Sequence, residues 1–182
     1  MMIMKIDDDG LLKEGKYIPS PNCDDRPQGA IELLVIHNIS LPPGEYGGSG
    51  VQQLFTNTLD EAEHPYYKTV SGLKVSAHFF VRRTGDVIQF VPCVKRAWHA
   101  GESCWQGLTC CNDFSLGIEL EGSDEVPFTD QQYDTLIQLT KALRAVYPIR
   151  GIAGHSDVAP IRKTDPGPCF DWERYLSGIC FS

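Results

Sequence analysis

The stretch IELLVIH, residues 31–37, is the part of the sequence that decides the fold. It is a short and nearly continuous apolar run, which is typical of a central strand buried on both faces. The run ends on His37 and is followed by Asn38, so two polar groups are predicted at the end of a buried strand. Such a strand needs partners on both sides, and the rest of the sequence supplies them.

Four further segments have the composition of strands: residues 75–81 (VSAHFFV), 87–91 (VIQFV), 114–120 (FSLGIEL) and 151–155 (GIAGH). The first two flank RRTGD, which predicts a hairpin with a glycine-containing turn. Alternation along the third places Ser115, Gly117 and Glu119 on one face of its strand. These segments predict a sheet with several neighbours for the first strand.

Helices are predicted between and beyond these strands. The clearest runs from Thr129 to Tyr147, where Thr129 and Gln132 form a capping-box pattern and Pro148 follows the end. A last short helix follows Asp171, which is a suitable cap. Residues 41–73 form a long mixed segment with one short helix (VQQLFTNTL), typical of a binding loop or lid. The predicted fold class is α/β, a single domain with a mixed central β-sheet flanked by α-helices.

Composition limits the classes of partner. The chain has 182 residues and a formal net charge of −8, with no run of five or six Lys and Arg residues. This argues against nucleic acid or an anionic membrane as the main partner. The N-terminal stretch lacks the apolar segment of a signal peptide, and no run has the length of a membrane span. Seven cysteines without a CxxC pair are interpreted as reduced thiols of a cytoplasmic protein, which we expect to be monomeric.

The segment GHSDVAPIRKTDPGP, residues 154–168, carries His155, Lys163 and Asp165 and is broken by three prolines, so it cannot be one long helix. His155 and Asp165, together with His37, supply two imidazoles and one carboxylate, which suffice for Zn²⁺ with a fourth position open to water. The ion would polarise an acyl oxygen and lower the pKa of that water. On the same reasoning the rival ligands are His64, His78, His99 and, in place of Asp165, Cys169.

Two further residues are candidates for catalysis. Lys163 precedes Asp165 by two, so in an extended segment both side chains face one site, and the ammonium could stabilise an oxyanion. Pro166 favours that extended conformation. Glu119 lies on an apolar strand, where desolvation would raise its pKa toward the range of a general base. The alternatives are that Lys163 is solvated and that Glu119 lies at an exposed strand edge.

Six motifs, in this order, carry a resemblance: LLVIHNISLPPGEYGG, HPYY, LKVSAHFFVRRTGDVIQFVP, AWHAG, CNDFSLGIELEG and RKTDPGP. They resemble the zinc-dependent N-acetylmuramoyl-L-alanine amidases of the type that includes phage T7 lysozyme. Within that family the resemblance is strongest to the cytosolic AmpD-type 1,6-anhydro-N-acetylmuramyl-L-alanine amidases of cell-wall recycling. It spans nearly the whole chain, so we assign residues 1–182 to one amidase domain with a core at about 17–176.

The resemblance implies a mixed sheet flanked by helices and one Zn²⁺ per chain, held by His37, His155 and Asp165. It implies a catalytic role for Glu119 and Lys163. Four positions are assigned to substrate binding: Asn38, Lys74, Trp98 and His99. The implied reaction is hydrolysis of the amide between the lactyl group of an anhydro-muramyl sugar and L-alanine of the stem peptide. The implied partner is therefore a small anhydro-muropeptide.

The sequence departs from the family pattern at positions that would bind carboxylates. The stretch before CNDF is QGLTC, without a cation, and Lys74 stands where relatives have arginine, which is not an equivalent carboxylate ligand. A basic rim is predicted from Lys74, Arg82, Arg83, Lys95 and Arg96. Two other functions stay open, namely a lytic amidase acting on polymeric cell wall and a recognition module that binds without cleaving. The retained ligand set disfavours the second.

Overall fold

The structure, a computed structural model, describes residues 4–180. Its strands are β1 Lys16–Tyr17, β2 Cys23–Asp25, β3 Leu33–Ile39, β4 Phe79–Val81, β5 Val87–Gln89, β6 Lys95–Ala97, β7 Cys104–Trp105, β8 Leu108–Thr109, β9 Ser115–Glu121 and β10 Gly151–Gly154. Its helices are α1 Gly50–Phe55, α2 Tyr67–Val70, α3 Asp130–Val146, α4 His155–Val158 and α5 Trp172–Cys180, with a 3-10 turn at Cys111–Asp113. The first three residues of the N-terminal stretch considered above lie outside the described part.

Six strands form one mixed sheet in the order β1-β5-β4-β9-β3-β10. Every neighbouring pair is parallel except β4 and β5, which form the predicted antiparallel hairpin. β3 lies between β9 and β10, and its first five residues are fully buried, as expected for a central parallel strand. The predicted mixed sheet with flanking helices is therefore confirmed.

The two faces of β3 and β9 pack against different layers. One face joins the main core, which includes Leu34, Ile36, Leu116 and Ile118 of the sheet, Leu136, Leu139 and Leu143 of α3, and Tyr175 of α5. The opposite face contributes Leu33 and Val35 to a smaller cluster with Ala100, Cys111, Ala153 and Val158. Because side chains alternate along a strand, this second face is the one that carries His37 and Glu119.

The two predicted caps are confirmed. The Thr129 hydroxyl accepts a hydrogen bond from the Gln132 N–H, and the Gln132 side-chain oxygen accepts one from the Thr129 N–H, both at 3.1 Å. The capped helix α3 buries Tyr133, Leu136 and Leu143 against the sheet. Asp171 accepts a hydrogen bond from the Arg174 N–H at 2.9 Å and so caps α5.

Several predicted strand boundaries were wrong. β3 does not end on His37 but continues to Ile39, because its pairing with β9 extends that far and the Gly122 N–H donates to the Ile39 carbonyl. The strand predicted from residue 75 begins only at Phe79. The segment before it is tied elsewhere, since the Ser76 N–H donates to the Trp98 carbonyl and its hydroxyl to the Asn22 carbonyl.

The remaining differences are smaller. The strand predicted over 87–91 ends at Gln89, the one over 114–120 is shifted to Ser115–Glu121, and the one over 151–155 ends at Gly154. The short helix predicted in residues 51–59 is present as α1, whereas α2, within the motif HPYY and the residues after it, was not predicted. The seven cysteines are unpaired, as expected. Within residues 4–180 no helix combines the length and apolar character needed to cross a membrane.

Candidate metal centre and active site

Two neighbouring parallel strands bring the predicted histidines together. β10 pairs Gly154 with Ile36 of β3, so the chain reaches His155 beside His37 at the carboxyl edge of the sheet. The two Nδ1 atoms are 3.0 Å apart, and each lies 3.1 Å from Oδ2 of Asp165. His37 and His155 are 1% and 4% exposed, while the Asp165 side chain is 15% exposed. Three potential ligand atoms therefore meet at one nearly enclosed point.

This donor set fits a zinc ion. Tetrahedral ligands about 2.1 Å from Zn²⁺ lie about 3.4 Å from one another, a few tenths of an ångström more than the separations here. The other ring nitrogens point away from the meeting point, His37 Nε2 toward His99 at 2.9 Å and His155 Nε2 toward the Ala100 carbonyl at 3.2 Å. Among residues 4–180 this is the one group of three His, Cys, Asp or Glu side chains close enough to hold an ion.

The protonation states also suit a metal, because ligands bind as neutral imidazole and ionised carboxylate. Burial lowers the pKa of His37 to about 4, although its hydrogen bond to Asp165 acts in the opposite direction. Burial by itself would raise the pKa of Asp165, but hydrogen bonds to His155 and His37 outweigh it and lower that pKa. His37 and Asp165 are therefore prepared to donate lone pairs at neutral pH.

Glu119 lies next to the three ligand candidates. It is the register partner of His37 on β9 and is 8% exposed, in the middle of the sheet and not at its edge. Its Oε2 is buried and has no hydrogen-bond partner among the described residues. Burial raises the pKa of Glu119 well above its usual value, and Asp165 adds to the increase while Lys163 opposes it. A carboxylate in these surroundings has a strong tendency to take up a proton.

Lys163 follows a turn in which the Arg162 and Lys163 N–H groups both bond to the Ala159 carbonyl. Lys163 lines two cavities, one of about 420 Å³ that includes Asp165 and one of about 220 Å³ that includes His155. Arg162 lines both cavities as well and was not predicted. Its place beside Lys163 in the motif RKTDPGP was the available signal.

The residues assigned to substrate binding are divided between these cavities. Asn38 lines the larger one, and its amide donates to Asp124 Oδ1 at 2.7 Å and to the Pro166 carbonyl at 3.0 Å. Lys74, Trp98 and His99 line the smaller one. The Trp98 indole donates to Asp24 at 3.2 Å, so its ring is held in place.

The predicted basic rim was mostly wrong. Lys95 pairs with Asp25, Arg96 pairs with Asp24 and Asp113, and the guanidinium groups of Arg82 and Arg83 donate to backbone carbonyls. Of the five cations only Lys74 lines one of the two cavities beside the ligand candidates. The other four cations bind acidic side chains or backbone carbonyl groups, and the sequence pattern does not reveal these contacts.

The rival ligands lie apart from the three converging atoms. His64 lies 3.8 Å from Glu45 in a separate cavity. His78 is fully buried, where its ring contacts Arg26 and the Lys95 carbonyl and accepts a hydrogen bond from the Gly117 N–H. Cys169 is half-buried and outside the group. His99 contacts a candidate ligand but is not one of the three.

Comparison with known proteins agrees with this geometry. A family model described as N-acetylmuramoyl-L-alanine amidase matches residues 27–168, a range that contains all three converging side chains. The chain belongs to the N-acetylmuramoyl-L-alanine amidase family. An Enterobacter cloacae relative of this amidase, named 1,6-anhydro-N-acetylmuramyl-L-alanine amidase AmpD, is 52% identical over 92% of this chain and 91% of its own length.

Solved structures show the same fold as this amidase. A crystal structure of a selenomethionine AmpD derivative superposes with a TM-score of 0.92 and 52% identity, over 94% of this chain and 98% of its own. The Escherichia coli amidase AmiD, solved with anhydro-N-acetylmuramic acid-L-Ala-D-γ-Glu-L-Lys, is 29% identical with a TM-score of 0.60. That match covers 97% of this chain and 65% of AmiD.

Proposed function

We propose that this amidase is zinc-dependent and hydrolyses the amide between the lactyl group of 1,6-anhydro-N-acetylmuramic acid and L-alanine of the stem peptide. The observation that carries the proposal is the convergence of His37, His155 and Asp165 beside the unpartnered carboxylate of Glu119. Identity of 52% to an AmpD amidase over nearly the whole chain supports the choice of substrate.

The two histidines and Asp165 would hold the ion. When bound, Zn²⁺ acts as a Lewis acid that polarises the scissile carbonyl and lowers the pKa of an attacking water. Glu119 takes the proton of that water, because its buried carboxylate has a raised pKa and an oxygen without a partner. The same carboxyl group then donates the proton to the departing amine of L-alanine. One residue thus serves as base and acid in turn.

Lys163 supplies positive charge where negative charge develops. It lines both cavities and lies close enough to lower the pKa of Glu119 and His37. The carbonyl oxygen of the substrate becomes negative as water attacks, and a fixed ammonium beside it stabilises that transition state more than the ground state. We therefore assign Lys163 to transition-state stabilisation.

Recognition of the stem-peptide carboxylates is assigned to the smaller cavity. Its lining includes Lys74, Arg162 and Lys163 and no acidic side chain. A stem peptide with γ-linked glutamate carries a free α-carboxylate and a terminal carboxylate, which are suited to three cations. Lys74 and Arg162 would supply positive charge for these carboxylates, although the stretch before CNDF contains no cation.

The biological setting is part of the proposal. We place the enzyme in the bacterial cytoplasm as a monomer that acts on soluble anhydro-muropeptides during peptidoglycan recycling. Two observations support a small soluble substrate over an extended polyanion: the net charge of −8 and the confinement of the cationic lining to a cavity of about 220 Å³. The unpaired state of all seven cysteines agrees with a reducing compartment.

The test offers the enzyme a purified anhydro-muramyl tripeptide and intact sacculi in parallel, with released peptide measured by mass spectrometry. Each arm is run with untreated protein, after removal of metal by a chelator, and after addition of Zn²⁺. We expect release from the tripeptide substrate, loss of release on chelation and recovery with zinc. Full turnover without metal would contradict the zinc site, and release from sacculi alone would indicate a lytic amidase instead.

A further inference from the structure

We infer that the dipeptide His99–Ala100, held in place by Asn112, determines which nitrogen carries the proton in both His37 and His155. Each ring is thereby made to present an unprotonated Nδ1 to the metal position. This inference rests on the proposed zinc function. Under this inference the motifs AWHAG and CNDF orient the zinc ligands. This role is separate from binding the metal or contacting the substrate.

The tautomer of His155 follows from one contact. Its Nε2 lies 3.2 Å from the carbonyl oxygen of Ala100. A carbonyl oxygen can only accept, so Nε2 must carry the proton and donate it. In a neutral imidazole the other nitrogen is then unprotonated, and that nitrogen is the Nδ1 that faces Asp165.

The tautomer of His37 follows from a chain of three contacts. The Ser115 hydroxyl lies 2.6 Å from the Cys111 carbonyl, which can only accept, so the single hydroxyl proton is used there. Ser115 Oγ therefore accepts from His99 Nε2, at 3.2 Å. A neutral His99 protonated on Nε2 has an unprotonated Nδ1, which accepts from His37 Nε2 at 2.9 Å. His37 Nδ1 is left as a free lone pair.

The dipeptide that supplies both contacts is itself fixed. The side-chain oxygen of Asn112 accepts hydrogen bonds from the His99 N–H at 3.2 Å and the Ala100 N–H at 2.8 Å. The His99 ring lies directly on the backbone of Gly117, where an added Cβ would be 2.4 Å from the ring carbon Cγ. Glycine at this position of β9 is therefore required for the ring to reach His37.

The positioning is needed because the metal site contains a competing acceptor. Asp165 Oδ2 lies 3.1 Å from both Nδ1 atoms and would attract a proton to either of them. A proton on Nδ1 blocks coordination, and its removal would have to accompany metal binding. The contacts from His99 and Ala100 hold the protons on the far side of each ring. Such outer contacts generally change metal affinity by about 10–100-fold.

The first experiment measures the zinc dissociation constant by competition with a chromogenic chelator. His99→Phe keeps a ring over Gly117 but removes both nitrogens, and we expect a dissociation constant about 10–100-fold higher. His99→Gln retains an oxygen that can accept from His37 and should recover most of the affinity.

Ser115→Ala leaves His99 free to take either tautomer and should give a smaller loss. His64→Phe, at a half-buried histidine in a separate cavity, is the matched control and should bind zinc normally.

The second experiment records the imidazole ¹⁵N spectrum of metal-free protein. In wild type both His37 and His155 should be protonated at Nε2, and in His99→Phe a population of His37 should move its proton to Nδ1. Wild-type protein with His37 protonated at Nδ1, or unchanged zinc affinity in a folded His99→Phe variant, would overturn the inference. If that variant does not fold, Ser115→Ala decides by the same two measurements. Wild-type protein that fails to bind zinc at all would instead contradict the proposed function.

Discussion

At the scale of single residues, replacing Glu119 should lower the catalytic rate without changing the amount of zinc bound. Glu119→Gln keeps the shape of the side chain but cannot take a proton from water. We expect kcat to fall by at least about 10²-fold, the usual contribution of a general base. Zinc content should stay at that of wild type, because Glu119 is not among the three converging ligand atoms. A variant with full zinc content and near-normal kcat would move the general base to another residue.

The raised pKa of Glu119 also predicts how stability depends on pH in metal-free protein. Between its unfolded pKa, about 4.3, and its higher folded pKa, the folded state binds the extra proton. The contribution of Glu119 to stability is therefore complete below the unfolded pKa and is lost as pH rises through the folded pKa. Relative to wild type, Glu119→Gln should gain unfolding free energy as pH increases from the unfolded pKa of Glu119 toward its higher folded pKa.

Urea denaturation of both proteins across that pH range tests the prediction. The matched control is Glu125→Gln, which makes the same chemical change at an exposed glutamate. A Glu119→Gln curve parallel to that of wild type would show that folding does not raise the pKa of Glu119, contrary to the effect expected from its burial.

The residues that converge could be predicted from sequence better than those that support them. His37, His155 and Asp165 are polar side chains next to apolar or proline-stiffened segments, which is a local signal. The role of His99 depends on a bare glycine on β9 and on Asn112, whose contact with the His99 backbone spans 13 residues. Such contacts arise only when the chain is folded, so the sequence left His99 among rival ligands and substrate contacts.

At the scale of secondary-structure elements, the capping box of α3 predicts a stability effect without a functional one. Thr129→Ala removes the acceptor of the Gln132 N–H and a 2.7 Å hydrogen bond to the Arg83 carbonyl. We expect a loss of about 1 kcal/mol of unfolding free energy, typical of a lost N-cap. Thr129→Ser retains the hydroxyl and should restore most of it.

Chemical denaturation measures the cost, and zinc affinity and kcat are measured on the same samples. Both should be unchanged, because α3 packs on the sheet face opposite to the one that carries His37. Loss of zinc affinity in Thr129→Ala at unchanged stability would contradict the separation of the two layers.

The interiors of the elements were predictable, whereas their boundaries depended on distant partners. The apolar run 31–37 and the capping box of α3 are local signals, and both elements are present. β4 begins later than predicted because Ser76 bonds to Trp98 and Asn22. His155 begins α4 instead of ending a strand, since the N–H of the preceding residue, Gly154, bonds to the Asp157 carboxylate at 2.7 Å. Trp98 and Asn22 lie more than 20 residues from Ser76, whereas Asp157 is a local partner within α4.

At the scale of the whole molecule, the sequence indicated a mixed sheet but not its strand order. β3 is flanked by β9 and β10, which lie more than 75 residues further along the chain, while β4 comes next in sequence in this sheet and is not its neighbour. The sequence contains no local pattern that identifies the neighbours of a buried parallel strand, because all such strands are similarly apolar. This arrangement creates the site, since it brings His37, Glu119 and His155 together near the carboxyl ends of three neighbouring strands.

The distribution of charge over the molecule predicts that salt slows the capture of an anionic substrate. The net charge alone would predict that salt speeds it. A chain with a net charge of −8 should repel an anionic peptide, and salt would then speed its association. The smaller cavity has Lys74, Arg162 and Lys163 in its lining and no acidic group. At about 0.1 M salt the screening length is about 10 Å, so these near charges dominate the final approach. We therefore expect kcat/KM for an anhydro-muramyl tripeptide to fall as ionic strength rises.

Two variants with the same net charge separate local from global effects. Lys74→Ala removes a cation from the cavity lining, whereas Lys13→Ala removes an exposed cation that lines neither cavity. Lys74→Ala should raise KM and flatten the dependence of kcat/KM on salt, because it removes part of the local attraction. Lys13→Ala should leave both nearly unchanged. Equal effects of the two substitutions, or a kcat/KM that increases with salt in wild type, would mean that the net charge of the molecule controls substrate capture and that the cavity cations do not.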